Sequence, residues 1–215
     1  VETLANLPSI VDKGASWFAS LGAPSYPGTK IFTLTGDIKN PGFYEVPTNT
    51  TIRDIVYGFG GGIPGDLALQ AVQIGGTSGA FIPPDLLDTP ADFDSMQYAG
   101  LSLGSGAVYV LDETRDILEV VTRIESFFEH ESCGKCTPCR EGTPRLVGLL
   151  EKIAQGRGSR FDLDLARKLG HNMTITSLCG LGMAAPVPML TAMQHFPAVF
   201  TQQVSAKTSE EGTPW

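Results

Sequence analysis

A chain of 215 residues, 42% hydrophobic and 18% charged, is long enough to bury a sizeable core and has the balance of an ordinary globular protein. Twenty-three acidic against fifteen basic residues leave a net charge of −8, which removes any electrostatic basis for binding nucleic acid or an anionic membrane. No apolar run approaches the roughly 18 residues of a membrane span, no signal-peptide pattern is present, and four cysteines are too sparse for a disulfide scaffold.

The chain opens at Val1 rather than methionine, which predicts a piece of a longer polypeptide. Residues 1–29 read as a helical segment and linker. Ser9 is the expected cap, Ile10, Val11, Trp17, Phe18 and Leu21 the apolar side, and Gly22 the stop. "GAPSYPGT" is a Pro/Gly-rich connector. From Lys30 the pattern turns to strands: "KIFTLTG" and "FYEVP" form a hairpin around the turn "DIKNPG". "TTIRDIVYGFGGG" predicts a short helix stopped by Gly60, Gly61 and Gly62. "QAVQIGG" and "GAVYVLD" are two further strands, separated by a loop through "PPDLLDTPADFDS". Residues 30–114 therefore predict an α+β domain with a helix on a small mixed sheet.

Residues 115–203 predict an α-helical domain. The first helix carries Ile117, Val120, Val121, Ile124, Phe127 and Phe128; the second runs from about Pro138 to Ala154 and the third from about Leu163 to Leu169. The fourth begins near Pro186 or Pro188 and is kinked or ended by Pro197. Residues 204–215 read as a polar tail.

Three cysteines fall within seven residues of "ESCGKCTPCREGT", as Cys133, Cys136 and Cys139, and the fourth is Cys179 in "SLCGLG". A structural zinc site usually draws two ligands from each of two knuckles, because one ion must sit about 2.3 Å from every sulfur. C-x-x-C-x-x-C with a remote fourth cysteine instead suits one segment wrapped around three corners of a [4Fe–4S] cube, closed from elsewhere. Zinc stays open as the alternative, within a four-cysteine structural scaffold whose other domain recruits partners. Gly134 and Gly180 permit close backbone approach, while Lys135, Thr137 and Arg140 supply hydrogen bonds or positive charge around the sulfurs.

"HESCGKCTPCREGT" and "SLCGLGMAAPVPM" closely resemble the flavin-binding NADH dehydrogenase subunit of respiratory complex I. That family includes the diaphorase subunits of NAD-linked hydrogenases and formate dehydrogenases. "PGTKIFTLTGDIKNPGFYEVP", "LLDTPADFDS" and "GSGAVYVLDET" extend the resemblance upstream. It implies a β-grasp (ubiquitin-like) domain of the soluble-ligand-binding type, followed by a four-helix domain holding one [4Fe–4S] cluster on Cys133, Cys136, Cys139 and Cys179. The cluster would take electrons singly from an FMN reduced by NADH. Implied partners are an upstream flavin/NADH-binding domain, a thioredoxin-like [2Fe–2S] subunit and a further iron–sulfur or catalytic subunit. The implied location is cytoplasmic, including the cytoplasmic face of a membrane complex. The family's glycine-rich flavin and NADH loops have no counterpart here, since "GFGGGIPG" lacks the strand–turn–helix setting. The segment alone is therefore not expected to oxidise NADH or to bind FMN or NAD(H).

Other residues carry plainer readings. His130 suits a helix end, and His171 and His195 have no partners at ligand spacing. Glu131 and Glu141 read as solvated carboxylates, and Met189 and Met193 as core.

Overall fold

The computed structural model describes residues 1–204; all but the first residue of the polar tail lies outside the described residues. Contacts divide the chain into two compact units, Val1–Thr114 and Arg115 onward.

The first unit begins with three short helices, α1 (Glu2–Ala5), α2 (Leu7–Lys13) and α3 (Ala15–Ala19). The single amphipathic helix expected from Ser9 to Gly22 is broken at Gly14, and a further short helix precedes it. Pro8 restarts the chain in the first turn of α2, and Gly14 takes φ +88°, a conformation closed to most L-residues. Ser9 lies inside α2 and caps nothing. A two-residue ribbon follows, β1 (Gly22–Ala23) with β2 (Tyr26–Pro27). Glu2 ties this segment to the first long strand by accepting the Ile31 N–H at 2.8 Å and facing Lys30 Nζ at 3.5 Å.

The sheet consists of β3 (Thr29–Gly36), β4 (Gly42–Pro47), β5 (Leu69–Ile74), β6 (Ala80–Ile82) and β7 (Ala107–Asp112), in the order β4-β3-β7-β5-β6. β3 and β7 run parallel at the centre; every other pairing is antiparallel. Alternation puts Phe32 and Leu34 into the core and leaves Ile31 on the outer face. Val46, Val72, Ile74, Ile82, Val108 and Val110 join them, covered by Ile55 and Val56. Those two stand on a π-helical turn, Asp54–Phe59, which replaces the regular helix expected there. Gly60 and Gly62 end it by donating their N–H groups to Ile55 and Val56, so these donors are spent on the turn. The loop expected after β5 contains structure of its own: β6, a 3-10 turn (Pro84–Leu86) and α4 (Phe93–Tyr98), whose first turn donates to the Asp92 carboxylate.

The second unit is helical: α5 (Ile117–Glu131), α6 (Thr137–Ala154), α7 (Arg160–Thr176), α8 (Gly180–Ala184), α9 (Val187–His195) and α10 (Pro197–Thr201). Asp116 caps α5 by accepting from Leu118 and Glu119 N–H. α7 is longer than its apolar pattern predicts because Ser159 and Asp162 form a capping box at its start, and Lys152 pairs with Asp162 at 2.8 Å. Pro197 does end α9, and it opens α10 in the same step. α5 packs on α6 and α6 on α7, while α9 lies against α5 and α7. Leu118, Val121, Leu146, Leu150, Leu163, Met173, Met189, Met193 and Phe200 fill the interior.

Candidate metal centre

The α5–α6 joint is where three cysteines collect. Ser132 ends α5, Gly134 turns the chain at φ +72°, and Cys136 becomes the N-cap of α6. Pro138 fits the first helical turn, where its missing N–H is no loss, and Cys139 follows at the third helical position. Arg140 braces this loop. Its guanidinium donates to the Gly134 carbonyl at 3.0 Å and to Glu141 Oε1 at 3.0 Å, and stands 3.5 Å from Thr137 Oγ1.

Cys179 arrives from the opposite side as the N-cap of α8. α8 packs on α6 and α7, and Gly182 permits the approach: a Cβ built there would stand 2.6 Å from Ser177 Oγ and 2.9 Å from the Cβ of Cys139. At Gly180, the glycine expected to permit close approach, a Cβ would meet no protein atom within 4 Å. The glycine that packing requires is the one two residues further on.

The result is a recess of about 260 Å³ lined by all four cysteines, with Glu131, Ser132, Lys135, Leu178 and Leu181 completing the wall. Lys135 therefore stands in the lining, whereas Thr137 and Gly180 do not. His130, His171 and His195 lie outside it as well. Cys139 is buried, Cys136 half-buried, and Cys133 and Cys179 exposed; all four are free thiols. Among the described residues, no three His, Cys, Asp or Glu side chains converge on a position for a single metal ion.

The electrostatics favour thiolate at Cys136. The Cys136 thiol is held below its ordinary range, chiefly by the backbone N–H of Leu178 and then by that of Cys139; burial opposes them, and its own N–H and the nearby Arg140 charge add smaller lowering effects. The N-terminus of the eighteen-residue α6 adds its dipole in the same direction. The Leu178 contact also joins the two cysteine segments directly. Cys139 Sγ has a hydroxyl neighbour, Ser132 Oγ, at 3.3 Å. Ser132, Ser177, Gly182 and the Leu178 amide have no signature in the sequence, where a lone serine beside a cysteine carries no signal.

Comparison with known families gives the class of each unit: an iron–sulfur binding region in the helical unit and an SLBB domain in the unit built on the mixed sheet. Residues 119–203 match the NADH-ubiquinone oxidoreductase-F iron–sulfur binding region, and residues 31–81 match the SLBB domain.

More particularly, the chain is similar to the C-terminal part of the F subunit of NADH-quinone oxidoreductase and of the hydrogenase subunit HndC. It is 40% identical to the NADP-reducing hydrogenase subunit HndC of Solidesulfovibrio fructosivorans, over 96% of this chain and 42% of that protein. Identity is also 40% to the F 2 subunit of NADH-quinone oxidoreductase from Rhizobium meliloti, over 96% of this chain and 49% of the relative. A crystal structure of an NAD+-reducing [NiFe]-hydrogenase, in the air-oxidized state, superposes with a TM-score of 0.84 at 36% identity, over 95% of this chain and 35% of that one. The chain thus spans about half the length of the curated relatives it matches.

Proposed function

We propose that this chain is the electron-transfer module of an NAD(H)-linked flavin oxidoreductase complex, with Cys133, Cys136, Cys139 and Cys179 as the ligands of one [4Fe–4S] cluster. The observation that carries the reading is the recess: four cysteines from two separate segments line one space. The donor set fits the group, since cysteine thiolates are the ligands of such cubes. When bound, the cluster supplies one-electron chemistry between a flavin and further iron–sulfur centres. The chain's own residues hold the thiolates in place. Cys136 and Cys139 are fixed by the first turn of α6, Cys179 by the approach of α8 at Gly182, and the backbone N–H of Leu178 binds the Cys136 sulfur. Lys135 brings positive charge to the recess wall, where it offsets the negative charge of four thiolates.

The sheet order supports a β-grasp reading of residues 30–114. Counting the five sheet strands alone, the order is second, first, fifth, third, fourth, with the first and fifth parallel. α5, α6, α7 and α9 are the principal helices of a four-helix iron–sulfur domain over residues 115–203. FMN and NAD(H) belong to an upstream domain of the parent complex, and a [2Fe–2S] subunit and a further iron–sulfur or catalytic subunit are the remaining partners. The location is cytoplasmic, where thiols reserved as ligands stay reduced; among the described residues no helix is long and apolar enough to cross a membrane.

Anaerobic reconstitution followed by iron and sulfide analysis tests the ligand set. The wild-type chain should hold about four irons and four sulfides, and Cys179→Ser should lose most of them while keeping its helical circular dichroism. One zinc per chain with no iron, or a full iron complement in Cys179→Ser, would refute the assignment.

A further inference from the structure

Ser177 lies two positions before Cys179, at the end of α7. It is only 5% exposed, and its hydroxyl oxygen meets no hydrogen-bond partner among the described residues. A buried hydroxyl left unpaired is costly, and native proteins rarely keep one without an acceptor. Its place is well defined. Ser177 Oγ and the Cβ of Cys139 converge on Gly182, at 2.6 and 2.9 Å from where a Cβ would stand. The orphaned hydroxyl thus sits beside the one cysteine of the four that is buried. Ser132, on the other segment, already reaches a cysteine sulfur, whereas Ser177 Oγ has no sulfur of the four cysteines within hydrogen-bond reach. The Ser132 oxygen accepts the Gly134 N–H at 3.3 Å, which leaves its own proton for Cys139 Sγ at 3.3 Å.

We propose that Ser177 is a positioning and tuning residue of the iron–sulfur site, its hydroxyl donating to the site's sulfur beside Cys139 and, together with Ser132, raising the reduction potential. This rests on the reading of the four cysteines as cluster ligands. The physical reason is charge. Reduction adds an electron to a centre already rich in negative charge, so a donor to sulfur binds the reduced form more tightly than the oxidised form.

The test is a redox titration of the cluster-loaded full chain, followed by electron paramagnetic resonance, with iron measured on every sample. At the potential where wild type is half reduced, Ser177→Ala should lower the reduced-to-oxidised ratio by about threefold to tenfold, the latter being about 59 mV for one electron. Ser177→Thr keeps the donor and should return the ratio to within about twofold of wild type. A fully loaded Ser177→Ala protein with an unmoved potential overturns the inference, as do equal shifts in Ala and Thr, which would mark a packing effect. Should Ser177→Ala not retain iron, Ser177→Cys, a weaker donor of similar size, is titrated in its place, and an unmoved potential there overturns it too. Wild type without iron refutes the ligand assignment instead, so the two failures are distinguishable.

Discussion

Glu125 places a carboxyl inside the apolar stripe of α5, between Val121 and Phe128, with no exposure and, among the described residues, no donor to either oxygen. Burial alone pushes it from an ordinary 4.5 up to about 8. The elements packed against α5 are α6, α9 and α10, and Cys139 is their only buried titratable side chain among the described residues. Between pH 4.5 and about 8 the folded chain keeps a proton that the unfolded chain has lost, so stability falls as pH rises through this window. Glu125→Leu should therefore stabilise the protein by roughly 1–4 kcal/mol at pH 8 and by much less at pH 4.5. Urea unfolding at the two pH values reads the difference; a gain independent of pH would show that the carboxyl is already ionised in the fold. At this scale the cysteines are legible in the sequence because their spacing is local. Glu125 and Ser177 are not, because burial without a partner depends on what other helices bring.

α8 is only five residues long, yet it carries the fourth sulfur to the other three. Its seat is Gly182, where any side chain would run into Ser177 and Cys139. Gly182→Ala gains helix propensity worth up to about 1 kcal/mol, but overpacking costs about 1–3 kcal/mol and pushes α8 outward. We expect the variant to fold, with a lower Tm, and to retain clearly less iron than wild type after gel filtration; full retention would show that α8 has room to adjust. Sequence alone does not single out Gly182 as the seat of α8, since Gly180 and Gly182 look alike until α8 is packed. Elsewhere the long amphipathic elements, α5 and α6 and the β3–β4 hairpin, are visible in their periodicity. β6 is not, because three residues are too few to show alternation. The start of α7 is hidden because its signal, Ser159 with Asp162, is a capping pair rather than an apolar repeat.

For the molecule as a whole, the two units divide the work. Val1–Thr114 folds around its own sheet and holds no cysteine, while all four thiols gather in the unit from Arg115 onward. A mixed sheet unit followed by a helical one is legible in sequence because the strand and helix periodicities are local, whereas the path by which Cys179 returns to the other three cysteines is a matter of tertiary packing. The central claim is that these sulfurs carry a centre that gains and loses one electron. Electron paramagnetic resonance of the anaerobically reconstituted chain, before and after dithionite and again after reoxidation, tests it most directly. The account predicts a silent oxidised sample, a reduced signal integrating to about one spin per chain, and its loss on reoxidation. A sample that stays silent under dithionite, with iron absent or bound at one atom per chain, would contradict it.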